Sequence, residues 1–135
     1  MKGACLCGRV TIRVPARPDY MNACNCAFCT KLGAVWAYYA LSAVEIEGEP
    51  RAYVRADVDN PTLSGNFCPD CGATTHWAPI GENHRDRTGI NMRLFDPAEL
   101  IGIEVRYGDR RNHAEVEPRK YYRAPTIFDG EGAKA

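Results

Sequence analysis

Seven cysteines in three short blocks are the residues of this chain whose types and spacing could do chemistry. The central block, Cys24-Asn25-Cys26-Ala27-Phe28-Cys29, packs three thiols into six residues. One pair lies upstream, Cys5-Leu6-Cys7, and another downstream, Cys68-Pro69-Asp70-Cys71. An odd number of cysteines cannot be used up by disulfides. The N-terminus, Met1-Lys2-Gly3-Ala4-Cys5, has no apolar run of the kind a secretion signal needs. The expectation is a cytoplasmic chain in a reducing compartment, where disulfides are rare and closely spaced thiols bind metal.

Zinc is the metal such spacing suits. A structural zinc takes four ligands in a tetrahedron, whereas a catalytic one typically takes three and keeps a position open. Ligands near one another in sequence tend to serve the same ion, because a short loop wraps it at little entropic cost. Only one division into four and three keeps every block whole. It joins Cys5 and Cys7 with Cys68 and Cys71, and leaves Cys24, Cys26 and Cys29 together. The expectation is two zinc ions per chain, the first enclosed by sulfur and the second held by the triplet. Pro69 and Gly72 suit a tight turn at the downstream pair. Cys5 and Cys7 would face opposite ways in a straight strand, so the backbone must bend there, and Gly3 and Gly8 flank them. The triplet needs a similar bend, followed by a helical turn that returns Cys29 towards Cys26.

Three thiolates around a divalent zinc carry a net formal charge of minus one and make a bound water less acidic than three imidazoles would. A soft, sulfur-rich site suits a further sulfur ligand. A small thiol bound there would lose its proton at neutral pH and remain nucleophilic. The chemistry expected is the making or breaking of a bond between a small thiol and an electrophilic carbon, with the metal supplying activation and orientation. The alternative is a non-catalytic zinc module, for binding a partner or buffering metal, in which the triplet is closed by His76, His84, His113 or a carboxylate. His76, between Thr75 and Trp77, reads as a packed or hydrogen-bonded strand residue before it reads as a ligand. Trp36, Tyr38 and Tyr39 read as core or pocket wall, and Lys31, Arg51, Arg55 and Arg93 as solvated charges.

The elements that must position these thiols are mostly strands. Val10, Ile12 and Val14 alternate with polar residues in the pattern of a half-buried strand, closed by Pro15 and Pro18. Gly33 to Leu41 is rich in strand-forming aromatics. Val44 to Glu47 and Arg51 to Arg55 read as strands about the turn Gly48-Glu49-Pro50, and Asp57 to Pro61 as a loop. Thr62 to Phe67 leads into the downstream cysteine pair and Ala73 to Ala78 leads away. Gly81 to Asp86 is an expected exposed loop, and Gly89 to Phe95 and Ile103 to Tyr107 are expected strands. Asp96-Pro97-Ala98-Glu99 has the signature of a helix start, cut short by Gly102.

The chain is 135 residues, enough for one domain with a modest core that a metal staple would help. Lys+Arg and Asp+Glu are equal at 17 each, with no basic half or acidic tail, so neither a nucleic acid nor an anionic membrane is an expected partner. No run of apolar residues reaches the length of a membrane span. The reading is one mainly β domain over residues 1–125 with little helix, followed by a flexible tail, 126–135, that ends in Gly130-Glu131-Gly132-Ala133-Lys134-Ala135.

Three of these stretches, Gly3-Ala4-Cys5-Leu6-Cys7-Gly8-Arg9-Val10, Cys24 to Ala34 and Phe67-Cys68-Pro69-Asp70-Cys71-Gly72, together resemble the glutathione-dependent formaldehyde-activating enzyme family, whose domain also occurs in centromere protein V. The resemblance runs from about Gly3 to Phe95 and takes in all seven cysteines, and Asn91 to Pro97 fits the family's later strand and turn. It implies a zinc-binding β-tent fold. It also implies a structural zinc on Cys5, Cys7, Cys68 and Cys71, and a catalytic zinc on Cys24, Cys26 and Cys29. The activity implied is condensation of formaldehyde with glutathione to S-(hydroxymethyl)glutathione, a carbon–sulfur lyase reaction by class.

Overall fold

Short branched and aromatic runs punctuated by Gly and Pro give short strands. The computed structural model, which describes residues 1–82, 85–112 and 118–130, is accordingly mainly β. In chain order the elements are β1 (Lys2–Ala4), β2 (Thr11–Arg13), β3 (Tyr20–Asn22), α1 (Ala27–Leu32), β4 (Trp36–Tyr39), β5 (Glu45–Glu47) and β6 (Arg51–Val54). They continue with β7 (Leu63–Phe67), β8 (Thr74–Pro79), β9 (Thr88–Asn91), α2 (Pro97–Leu100), β10 (Glu104–Gly108) and β11 (Tyr121–Ile127). A small sheet has the order β1-β2-β5, and a large one β11-β10-β3-β4-β9-β8-β7-β6. No described helix is long and apolar enough to cross a membrane.

The alternation at Val10, Ile12 and Val14 does what its period requires: all three side chains are buried. Ile12 and Val14 of the small sheet meet Met21, Ala37, Ile90 and Val105 of the large one. Met92, Phe95, Leu100 and Ile103, from the segment between β9 and β10, complete the core. Each of these side chains larger than alanine contributes about 1.5–3 kcal/mol on burial.

The layout that matters for chemistry lies at the centre of the large sheet. β3 runs parallel to β10 and pairs with β4 through the single register pair Asn22–Trp36. The chain leaves β3, passes through the cysteine triplet and α1, and returns as β4, so the triplet occupies the connection between two neighbouring strands. Gly33 ends α1 with a positive φ of 64°, a conformation that costs glycine little.

Three features differ from the expectation. The run from Gly89 to Phe95 is a strand only to Asn91; Met92–Leu94 then turns as a 3₁₀ helix. The cause is the Asn91 side chain, whose Oδ1 accepts from the backbone N–H groups of Arg93 and Val35. β1 and β3 are three-residue strands that the pattern did not announce. β11 is a strand in a region that reads as charged chain: it pairs antiparallel with β10 through a register irregularity and is mostly exposed. The boundary drawn at residue 125 falls inside β11. Beyond it Phe128 donates to Ile103 O (2.9 Å) and accepts from Gly102 N–H (2.8 Å). By contrast, the expected helix start at Asp96 is present, with its carboxylate accepting from Ala98 N–H and Pro97 at the first helical position.

Candidate metal centres

The upstream and downstream pairs sit on two facing turns. Between β1 and β2, Cys5 N–H donates to Val10 O (2.9 Å) and Gly8 N–H to Cys5 O (3.0 Å). Between β7 and β8, Gly72 N–H donates to Cys68 O (2.8 Å) and Cys68 N–H to Ala73 O (2.9 Å). Gly8 and Gly72 both take positive φ, 80° and 76°, where a side chain would be strained. The sulfurs of Cys5, Cys7, Cys68 and Cys71 all lie within 4.8 Å of one another. Two of the edges, Cys5–Cys7 and Cys7–Cys68, are 3.7 Å. A tetrahedron of thiolates at the usual zinc–sulfur distance has an edge of about 3.8 Å, whereas a disulfide needs about 2 Å. The donor set therefore fits a four-coordinate soft metal ion.

Backbone amides aimed at these sulfurs favour the thiolate form a metal requires. Val10 N–H donates to Cys5 Sγ (3.2 Å). The Ala73 N–H, followed by that of Cys7, pulls Cys71 down to about 6. Cys5 and Cys68 are buried; Cys7 is exposed.

The triplet is built differently. Cys26 has extended backbone (φ −68°, ψ 161°) and caps α1, its sulfur accepting from Cys29 N–H at 3.4 Å. One helical turn then brings Cys29 Sγ to 3.4 Å from Cys26 Sγ, and Cys26 N–H points at Cys24 Sγ (3.5 Å). All three sulfurs lie within 4.8 Å of one another. Donation from the Cys24 and Cys29 thiols, then from the Cys29 and Phe28 amides, holds Cys26 far below an ordinary thiol. The same contacts with Cys24 and Cys26 push Cys29 up. Cys29 is buried, while Cys24 and Cys26 are partly exposed. The indole N–H of Trp36, itself 1% exposed, donates to Cys29 Sγ at 3.1 Å.

Asn25 fixes this loop from within. Its N–H donates to Gly108 O at the end of β10 (3.1 Å), and its Nδ2 donates to Asp109 Oδ1 (2.7 Å). Its Oδ1 accepts from Arg111 N–H (3.0 Å), and its carbonyl accepts from Arg111 Nε (3.1 Å). A hollow of about 500 Å³ opens beside Cys24 and Cys29, and Thr30, Arg93, Arg111 and Tyr122 also line it. Arg93 and Arg111 thus line the same hollow as Cys24 and Cys29 of the triplet.

Among the described residues no histidine or carboxylate joins either sulfur group. His76 is buried on β8 with Nδ1 2.9 Å from Thr75 Oγ1, and burial pushes it down to about 4. His84 and His113 lie outside the described residues. Arg55 is forked onto Asp57 at 3.0 and 2.7 Å and lies over the Phe28 ring, 5.4 Å from its centroid, so it is more enclosed than the solvated charge expected. Arg93 is exposed yet faces the hollow, which its sequence neighbours do not signal. Trp36 is the buried wall that its sequence reading allowed, packed against Cys29. Asn25, Arg111 and Tyr122 were not read as site residues, and of these only Asn25, enclosed between two cysteines, carried a local sign.

Comparison with known proteins bears on the whole arrangement. A search of curated protein sequences returns no match. A crystal structure of a Rhodobacter sphaeroides protein, a structural-genomics target, is similar at 28% identity with a TM-score of 0.58. The match covers 71% of this chain and 88% of that one. The model of the family described as glutathione-dependent formaldehyde-activating enzyme matches residues 1–107, which include all seven cysteines and the strands that carry them. By that match the chain belongs to the glutathione-dependent formaldehyde-activating enzyme family.

Proposed function

We propose that this protein is a zinc-dependent carbon–sulfur lyase that joins a small, glutathione-like thiol to an aldehyde or related electrophile and releases it again. The observation that carries the reading is the three-sulfur group, joined by no fourth protein ligand among the described residues and opening on a hollow lined by Arg93 and Arg111. In this reading Cys5, Cys7, Cys68 and Cys71 hold a structural zinc, and Cys24, Cys26 and Cys29 hold the catalytic one. Zinc bound to the triplet would supply a thiolate at neutral pH from a thiol that reaches it.

The chain's own groups do the rest. Arg93 and Arg111 are placed to receive carboxylates of the thiol, the recognition for which a guanidinium fork is suited. Trp36 N–H holds Cys29 in place and spreads its charge. The buried wall of Cys29, Ala34 and Trp36 keeps water from one side of the sulfurs. In the forward direction the thiol sulfur forms a bond to the carbonyl carbon, and the carbonyl π pair moves to its oxygen. That oxygen takes up the proton the thiol gave up, so the adduct balances without a redox partner.

The test is metal analysis of the intact chain together with exchange spectroscopy of formaldehyde and glutathione. The expected result is two zinc ions per chain and an accelerated exchange that disappears in Cys26→Ser while the fold and one zinc remain. No acceleration with any thiol would overturn the proposal and leave a non-catalytic zinc module.

A further inference from the structure

The hollow beside the triplet shares three of its lining residues, Ala23, Val35 and Arg93, with a second hollow of about 560 Å³, set between the β10–β11 pair and the segment Met92–Leu100. The two differ in character. The near hollow is lined by Cys24, Cys29, Arg93 and Arg111; the far one is walled mainly by Met92, Phe95, Leu100, Val105 and Phe128, with Arg93, Thr126 and Asp129 as its polar lining. Two of the shared border residues, Ala23 and Val35, have small or branched side chains.

Either hollow alone is of the size that holds a drug-sized ligand. A one-carbon aldehyde at the sulfurs would touch none of the far walls. The carboxylates of a glutathione-like thiol belong with Arg93 and Arg111 in the near hollow, which leaves the apolar one for the other reactant. We infer that the electrophile taken by this site carries an apolar tail of several carbons, an aliphatic or aromatic aldehyde whose tail lies in the β10–β11 hollow while its carbonyl carbon faces the triplet. The inference rests on the carbon–sulfur reading above and names its substrate class. The bond changes are those already given: a carbon–sulfur bond forms, the carbonyl π pair goes to oxygen, and the thiol's proton follows it.

Each methylene that leaves water for an apolar wall strengthens binding about fourfold when fully enclosed. One side of this hollow is formed by an exposed edge strand, so about twofold to fourfold per methylene is expected. The experiment uses the full, zinc-loaded chain and two homologous series. Unreactive alcohols from methanol to 1-octanol are titrated by ligand-detected NMR, and aldehydes of the same lengths are followed with glutathione by exchange spectroscopy. Affinity and rate should rise with length over several carbons. Thr126→Phe, which brings a ring into the hollow from β11, should flatten both series. Ile127→Trp, at an exposed rim position that cannot unfold the core, should shorten the length at which they level off. Affinity independent of chain length in the unmodified protein would overturn the inference, even with formaldehyde converted. Length-dependent binding with no turnover of any aldehyde would keep the apolar-tail site and remove the carbon–sulfur reading.

Discussion

Replacing Trp36 by Phe separates the role of one hydrogen bond from that of the ring that carries it. The indole is 1% exposed, stacks on Phe28 with ring centroids 6.4 Å apart at 20°, and donates to Cys29 Sγ at 3.1 Å. Phenylalanine keeps the stack and removes the donor. A hydrogen bond to a charged acceptor contributes about 1.5–3 kcal/mol, so the dissociation constant of a metal held by the triplet should rise about 10- to 150-fold. Bonds that support metal ligands typically have effects of that size. The smaller ring also leaves a void that lowers overall stability by about 1–3 kcal/mol, so a melting temperature would not isolate the bond. Competition against a chromogenic chelator would, because the two sulfur groups should release zinc in separate phases. The expected result is a shift of the weaker phase alone, with the four-sulfur phase unmoved. Two phases that move together, or neither moving, would refute the argument that this N–H acts on the Cys29 thiolate.

Three further outcomes follow from other contacts. A Cβ at Gly89 would overlap Trp77 Nε1, so Gly89→Ala must displace the indole and should cost about 1–3 kcal/mol in denaturant unfolding; no loss would mean the β8–β9 register is looser than it looks. Burial pushes His76 from 6.5 to about 4, so the native state keeps it neutral while the unfolded chain takes up a proton. Its contribution is whole above about pH 6.5 and declines by about 3 kcal/mol as the pH falls to about 4, at about 1.4 kcal/mol for each tenfold in proton affinity. The difference in unfolding free energy between the protein and His76→Gln should carry that slope, and parallel pH profiles would contradict it. Arg111→Met should raise the KM for glutathione about tenfold or more while that for 2-mercaptoethanol stays within about twofold, since only the first thiol brings carboxylates. Equal changes for both would place Arg111 in the scaffold alone.

Which sulfurs lie together was legible in the sequence because each block is short enough for its own turn to gather it. Gly8, Gly72 and the extended Cys26 supply the bends that the spacing demanded. The face of β2 and the cap of α2 were legible for the same reason: both are decided by residues within four positions of one another. What could not be read is non-local. β3 is three residues long, and its partner β10 lies more than eighty residues away. β11 gains its strand character from β10, since its side chains are mostly exposed and bury little of their own. Arg111 and Tyr122 reach the triplet only because β10 runs beside β3 and ends next to Asn25. The 3₁₀ turn after β9 follows from the Asn91 side chain capturing two amides, which a hydrophobic pattern does not reveal.

The two sulfur groups share no ligand, yet the four-sulfur group bears on the triplet through backbone that leads from one to the other. β8 leaves the Cys68–Cys71 turn at Ala73, and the next residue, Thr74, donates its hydroxyl to Leu32 O at the end of α1 (3.1 Å). Asn91 Nδ2 donates to Thr74 O (2.9 Å), and Asn91 Oδ1 accepts from the amides of Val35 and Arg93 (3.3 and 3.2 Å). The start of β8 therefore holds both the C-terminal end of the helix that carries Cys29 and the turn that presents Arg93. A six-residue helix is too short to persist by itself in water, so its geometry is borrowed from these contacts. A metal in the four-sulfur group would keep that segment in place and so set where the triplet's thiols and their guanidinium neighbour stand.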